Sequence, residues 1–144
     1  MSVQASRRSA DLPLPPVAKS PSDARAFVAE RLSAWGLEDD GAVSLAVSEL
    51  VTNGLLHART PMTLTVAAEE GEVVRLEVTD GSVQQPRGRR FTVESGTGRG
   101  LRLLDSLSEE WGVVPRDGGK TVWCRIRLGA EHYEEFDTGT AEAL

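Results

Sequence analysis

The chain has 144 residues, with 16 Lys+Arg against 22 Asp+Glu for a formal charge of −6, and it is 40% apolar but 5% aromatic. These values describe one domain large enough to bury a core, and they exclude a disulfide scaffold, a helical membrane span and a basic DNA-binding domain. The charge is unevenly spread: residues 129–144 carry five acids and no Lys or Arg, which leaves 16 basic and 17 acidic groups before them.

Residues 1–20 hold three of the seven prolines together with Arg7 and Arg8, and read as a flexible arm with a short edge strand near Leu12–Leu14. Ser20-Pro21-Ser22-Asp23 supplies capping residues. Ala24, Phe27, Val28, Leu32 and Trp35 then recur at helical spacing up to Gly36, which predicts a helix over 22–35. Asp39 or Asp40 can cap a second helix whose apolar stripe is Val43, Ala46, Val47, Leu50, Val51 and Ala58, ending before Thr60-Pro61.

Met62–Glu69 and Val73–Thr79 alternate with period two about Glu70-Gly71-Glu72, the pattern of a hairpin. Residues 81–100 contain five glycines and few large apolar side chains, so they read as a long loop of the kind that usually serves as a lid. Leu101, Leu103, Leu104 and Leu107 mark a third helix. Trp111–Val114 and Thr121–Leu128 form a second hairpin about Asp117-Gly118-Gly119.

Residues 21–128 are thus expected to fold as one α+β domain. The expected architecture is a two-layer sandwich, an antiparallel-dominated mixed sheet with about three helices on one face. Residues 129–144 read as an acidic disordered tail. The lone Cys124, no N-terminal apolar segment and no membrane span lead us to expect a cytoplasmic protein.

The second helix carries Glu49, Asn53 and His57 at steps of four residues, which places them on one slowly drifting line beside the apolar stripe. A polar helix flank and a ligand site both produce that pattern. Asp80 ends a strand and meets a loop, where an aspartate can serve as a turn residue or as a ligand contact. Gly96-Thr-Gly-Arg-Gly-Leu101 precedes a helix, and glycines at a helix N-terminus let backbone N–H groups approach a phosphate. Between Gln84 and Arg102 stand five arginines (Arg87, Arg89, Arg90, Arg99, Arg102) and one acid, Glu94. That basic segment suits either a solvated loop or neutralisation of an anionic ligand and contact with an acidic partner.

Together, Glu-x-x-x-Asn-x-x-x-His on a helix, Asp80 at a strand end and Gly-x-Gly-x-Gly-Leu opening a helix resemble the histidine-kinase-like ATPase superfamily. Within it, the compact length, Trp111-Gly-Val and Gly119-Lys-Thr-Val-Trp123 are most similar to the small anti-sigma-factor serine/threonine kinases of bacteria. The resemblance covers residues 20–128. It implies ATP and Mg²⁺ as ligands, with Asn53 holding the metal, Glu49 as general base, and Asp80 accepting a hydrogen bond from the adenine amine. It further implies that Thr121 supports the base through water and that Gly96, Gly98, Arg99, Gly100 and Leu101 form the phosphate-contacting end of an ATP lid. His57 would pack against the site or cap the helix.

The resemblance also implies a sigma factor and an anti-sigma-factor antagonist as partners, with no direct nucleic acid and no membrane, and a homodimer as one assembly. Two features depart from the superfamily pattern. Asp80-Gly-Ser-Val-Gln has one glycine where Asp-x-Gly-x-Gly is common, and the second histidine, His132, lies in the acidic tail, so a complete sensor histidine kinase is not expected. A kinase that sequesters a sigma factor, a non-catalytic ATP-sensing module and an ATPase subunit of a larger machine are the readings to separate.

Overall fold

The computed structural model describes residues 8–81 and 98–129, with backbone alone for 98–101. In chain order the elements are β1 (Ser9–Leu14), α1 (Ser20–Ala34), α2 (Ala42–His57), β2 (Met62–Glu69), β3 (Val73–Asp80), α3 (Gly98–Leu107), β4 (Glu110–Arg116) and β5 (Gly119–Arg127). The strands form one sheet in the order β1-β2-β3-β5-β4, and every pairing is antiparallel. The expected α+β sandwich is therefore found, with no parallel pair among the described residues. β1 begins three residues before the expected edge strand and pairs along its whole length with β2.

Strand periodicity decides which side of the sheet is covered. Leu64 and Val66 on β2, Val74, Leu76 and Val78 on β3, and Val122, Cys124 and Ile126 on β5 are buried in one core with Val28, Leu32, Val47, Leu50, Val51 and Leu104 of the helices. The alternate positions form the other face, where Arg125 pairs with Glu69 and Glu110, Arg127 pairs with Glu109, and Arg75 lies 4.5 Å over the Trp123 ring. Hydrogen bonds donated to Glu69 and then Glu110 hold the Arg125 guanidinium even more firmly protonated than usual. On the core side, burial pushes the Cys124 thiol up to about 12, with nearby Arg75 opposing, so it packs as a small apolar group.

α2 lies at the centre of the helical layer, packed against α1, α3 and the middle of the sheet. Its start is fixed by Asp39, whose Oδ1 accepts from the Gly41 and Val43 amides and whose Oδ2 accepts from Ser44, each at 2.9 Å. Asp40 Oδ1 accepts from the Ala42 amide at 3.2 Å. The free amides of the first turn are thereby bonded, which a helix start otherwise leaves to water. The helix stops where Ala58 and Arg59 both donate to the Gly54 carbonyl and Arg59 turns to φ 57° ahead of Thr60-Pro61.

α3 begins at Gly98, so Gly98–Leu101 are its first turn and not a loop before it. The second hairpin turns on Asp117-Gly118 alone, with Gly118 at φ 76° and Arg116 opposite Gly119. One aspartate serving three amides makes Asp39 the strongest local determinant of α2. Asp39→Ala is expected to cost about 1–2 kcal/mol in urea unfolding, while Asp40→Ala costs less; equal losses would contradict this assignment.

Candidate nucleotide site

The site is built where the C-terminal half of α2 meets the end of β3. Val47, Leu50, Val51 and Gly54 face the core, so Glu49 and Asn53 fall at the margin of the buried stripe and are half-buried, whereas His57 in the last turn is exposed. His57 is therefore not drawn into the margin with the other two. Asn53 Oδ1 is itself buried and takes no hydrogen bond among the described residues. An acceptor in that state costs about 1–3 kcal/mol, which makes Asn53 a candidate to meet a ligand.

Gly54 brings this turn of α2 onto the sheet. A Cβ there would stand 2.6 Å from Met62 Sδ and 3.8 Å from Val78 Cγ1, and Met62 is the cross-strand partner of Asp80. The turn that presents Asn53 and the strand end that presents Asp80 thus share one corner of the fold. Thr60 closes the corner from below, its Oγ1 accepting the Gly81 amide at 3.0 Å.

Asp80 continues the inward series Val74, Leu76, Val78, and its side chain is 2% exposed. Directly opposite on β5 stands Lys120, whose Nζ donates to Asp80 Oδ2 at 2.6 Å from a side chain 13% exposed. The expected acceptor for an adenine amine is therefore already engaged by a cation. The sequence places this lysine and Gly119 within a motif and a hairpin but assigns neither a role at the site. A Cβ on Gly119 would fall 1.9 Å from the Asp80 carbonyl oxygen, so the two strands approach more closely there than any side chain permits.

Thr121 requires a correction. Inward positions on β5 are Lys120, Val122, Cys124 and Ile126, so Thr121 points to the opposite face, buried at 2% exposure. There its hydroxyl bonds Thr79 Oγ1 at 2.7 Å and accepts from Arg116 Nε at 3.0 Å. It does not share a side of the sheet with Asp80, whereas Lys120 does. The signal was available, because an alternating strand with Val122, Cys124 and Ile126 inward must also turn residue 120 inward.

Of the expected phosphate-contacting residues, Gly98, Arg99, Gly100 and Leu101 make the first turn of α3, whose amides are free of intrahelical bonds. Gly96, Arg87, Arg89 and Arg90 lie outside the described residues, and Arg102 is exposed on α3. A groove of about 560 Å³ between α1 and the start of α2, with Arg25, Leu32 and Asp39 in its lining, includes none of the candidate site residues. Among the described residues no group of three His, Cys, Asp or Glu side chains could hold a metal.

A family model for the histidine kinase-like ATPase domain matches residues 15–126. A comparison with curated proteins finds no match. Among solved structures, the RsbU and RsbW domains of Rv1364c from Mycobacterium tuberculosis are similar with a TM-score of 0.64 at 22% identity, over 83% of this chain and 32% of that one. The histidine kinase domain from the Erythrobacter litoralis EL346 blue-light activated histidine kinase is similar with a TM-score of 0.49 at 23% identity, over 76% and 63%. This chain spans under two thirds of the length of either, and the first likeness shows a shared fold.

The two glycines that flank the Asp80–Lys120 pair are predicted to behave differently. Gly119→Ala should lower stability by about 2–4 kcal/mol by forcing β3 and β5 apart. Gly81→Ala, whose Cβ would meet nothing nearer than 3.9 Å among the described residues, should change stability by less than about 1 kcal/mol. Thermal melts of the two variants check this, and a tolerated Gly119→Ala would contradict the close approach.

Proposed function

The chain belongs to the histidine kinase-like ATPase family, and from that premise we propose that it is an ATP-dependent serine/threonine kinase of the anti-sigma-factor type. It would phosphorylate an anti-sigma-factor antagonist and sequester a sigma factor when not doing so. ATP binding and a regulatory role accord with the family itself; the phosphoacceptor and the partners are our reading. The observation that carries it is the unbonded, buried Asn53 Oδ1 on the same helix as Glu49, over the corner that holds Asp80.

The donor set fits the ligands. A carboxamide oxygen is a hard ligand suited to Mg²⁺, which keeps most of its waters and takes the rest of its shell from phosphate oxygens. Bound there, Mg²⁺ would supply charge neutralisation to the β- and γ-phosphates. Asn53 would hold it, and the amides of the first α3 turn would face the same phosphates. Glu49 stands one turn before Asn53, and its carboxylate would accept the proton from the attacking hydroxyl as that oxygen bonds to the γ-phosphorus. Asp80 would accept from the base amine.

Glu49→Ala is expected to lower phosphoryl transfer to a cognate antagonist by about 10²–10⁴-fold while ATP affinity stays within about threefold. Asn53→Ala should keep or raise the melting temperature of the ligand-free protein, because it deletes an unsatisfied buried acceptor, and should abolish the Mg²⁺-dependent part of ATP binding. Phosphoserine or phosphothreonine detection with radiolabelled ATP and calorimetry check the two. Transfer unaffected by Glu49→Ala would remove Glu49 from the base role. ATP binding without any transfer by the unaltered chain would favour the non-catalytic sensing module instead.

A further inference from the structure

We propose that Gly54 and Met62 are positioning residues of the metal-holding end of the site: their close contact sets how deep this turn of α2 sits on the sheet, and so where the Asn53 carboxamide stands. This rests on the reading of Asn53 as the Mg²⁺ ligand and extends it to the pair that seats it.

A glycine inside a helix needs a reason, because alanine is the better helix former there. Gly54 lies within α2 and is buried, and its φ is not positive, so backbone conformation supplies none. The space beside it does. A Cβ at Gly54 would stand 2.6 Å from Met62 Sδ, against the roughly 3.5–4.0 Å of ordinary carbon contacts. With that Cβ present, the turn would have to rise by about 1 Å or the sulfur would have to leave. Met62 has little room to do so. It opens β2 facing the core at 2% exposure, between its cross-strand partners Leu14 on β1 and Asp80 on β3, which are themselves buried. A thioether is an adaptable side chain, but a close-packed interior leaves it few other places to go.

Asn53 is the residue next to this contact. Its Oδ1 is buried with no hydrogen-bond partner among the described residues, so no bond to that oxygen holds it, and the helix backbone that carries it sets its place. Mg²⁺ demands near-ideal octahedral geometry with oxygens at about 2.0–2.1 Å. A ligand oxygen lifted by about 1 Å cannot meet that demand, and misplacements of this size cost up to about a hundredfold where function depends on position. The missing methyl of Gly54 thus trades helix stability for a seat that brings the carboxamide to the depth the metal needs.

The test is the affinity for ATP, measured by calorimetry in excess Mg²⁺ and again in excess EDTA, on the unaltered chain, Gly54→Ala, and Gly54→Ala with Met62→Val. Gly54→Ala should remove most of the Mg²⁺-dependent gain in affinity, a loss of about tenfold, while the affinity in EDTA stays within about threefold. Met62→Val withdraws the sulfur and should restore the gain in the Gly54→Ala background to within about threefold of the unaltered chain. An unchanged gain in Gly54→Ala, equal losses with and without Mg²⁺, or a loss that Met62→Val does not repair would each overturn the proposal. Should Gly54→Ala fail to fold, the double variant decides, because it carries the methyl without the sulfur: folding and binding Mg-ATP like the unaltered chain supports the seat, and failing at either refutes it. Asn53→Ala separates the two levels. If it leaves the Mg²⁺-dependent gain intact, the underlying metal reading fails; if it abolishes the gain while Gly54→Ala keeps it, only the seat is refuted.

Discussion

A carboxylate 2% exposed at the end of an apolar strand face is the constraint on which the corner depends. Left alone, a buried charge costs several kcal/mol or gives up its charge. Here the cost is offset by the opposed Lys120 at 2.6 Å, and that arrangement dictates the register of β5 against β3. Register in turn places Gly119 against the Asp80 backbone, where no Cβ fits, and sends Val122, Cys124 and Ile126 into the core. A slip by one residue would turn Lys120 outward and part it from Asp80, so the charge pair and the apolar pattern specify the same pairing.

α2 makes the second contribution, by serving packing and chemistry with different sides of one helix. Its buried stripe fixes its rotation over the sheet, and the Asp39 carboxylate at its start fixes its N-terminus. The margin of the stripe then holds Glu49 and Asn53 half-buried, where polar groups are partly desolvated yet reachable. The Asn53 Oδ1 is, with Arg8 Nε and Arg31 Nε, one of the buried side-chain atoms without a hydrogen-bond partner among the described residues. Such departures from local consistency are expected where function and stability compete.

The elements were legible because their periods are clean. Alternation in Met62–Glu69 and Val73–Thr79 and four-residue spacing in α1 and α2 each determine one face. The grouping of Glu49 with Asn53 followed from helical spacing, and the parity of Val74, Leu76 and Val78 also implies the inward direction of Asp80, which the sequence reading placed only at a strand end. Thr121 was misjudged because a motif match outweighed the parity of its own strand, which already turned Lys120 inward. Gly119 was not legible at all, since its role arises from contact with a residue 39 positions earlier, at Asp80, and only the folded register creates that contact. Likewise, spacing placed His57 on the line of Glu49 and Asn53, but the helix ends there and leaves it exposed.

The central proposal is that this corner binds a magnesium-chelated adenine nucleotide, with Asn53 supplying a protein oxygen to the metal. Calorimetric titration of the unaltered chain with ATP, in excess magnesium and again in excess EDTA, tests it most directly. The account predicts one-to-one binding that weakens by about tenfold or more when the metal is withdrawn. Absence of binding, or an affinity indifferent to magnesium, would contradict it.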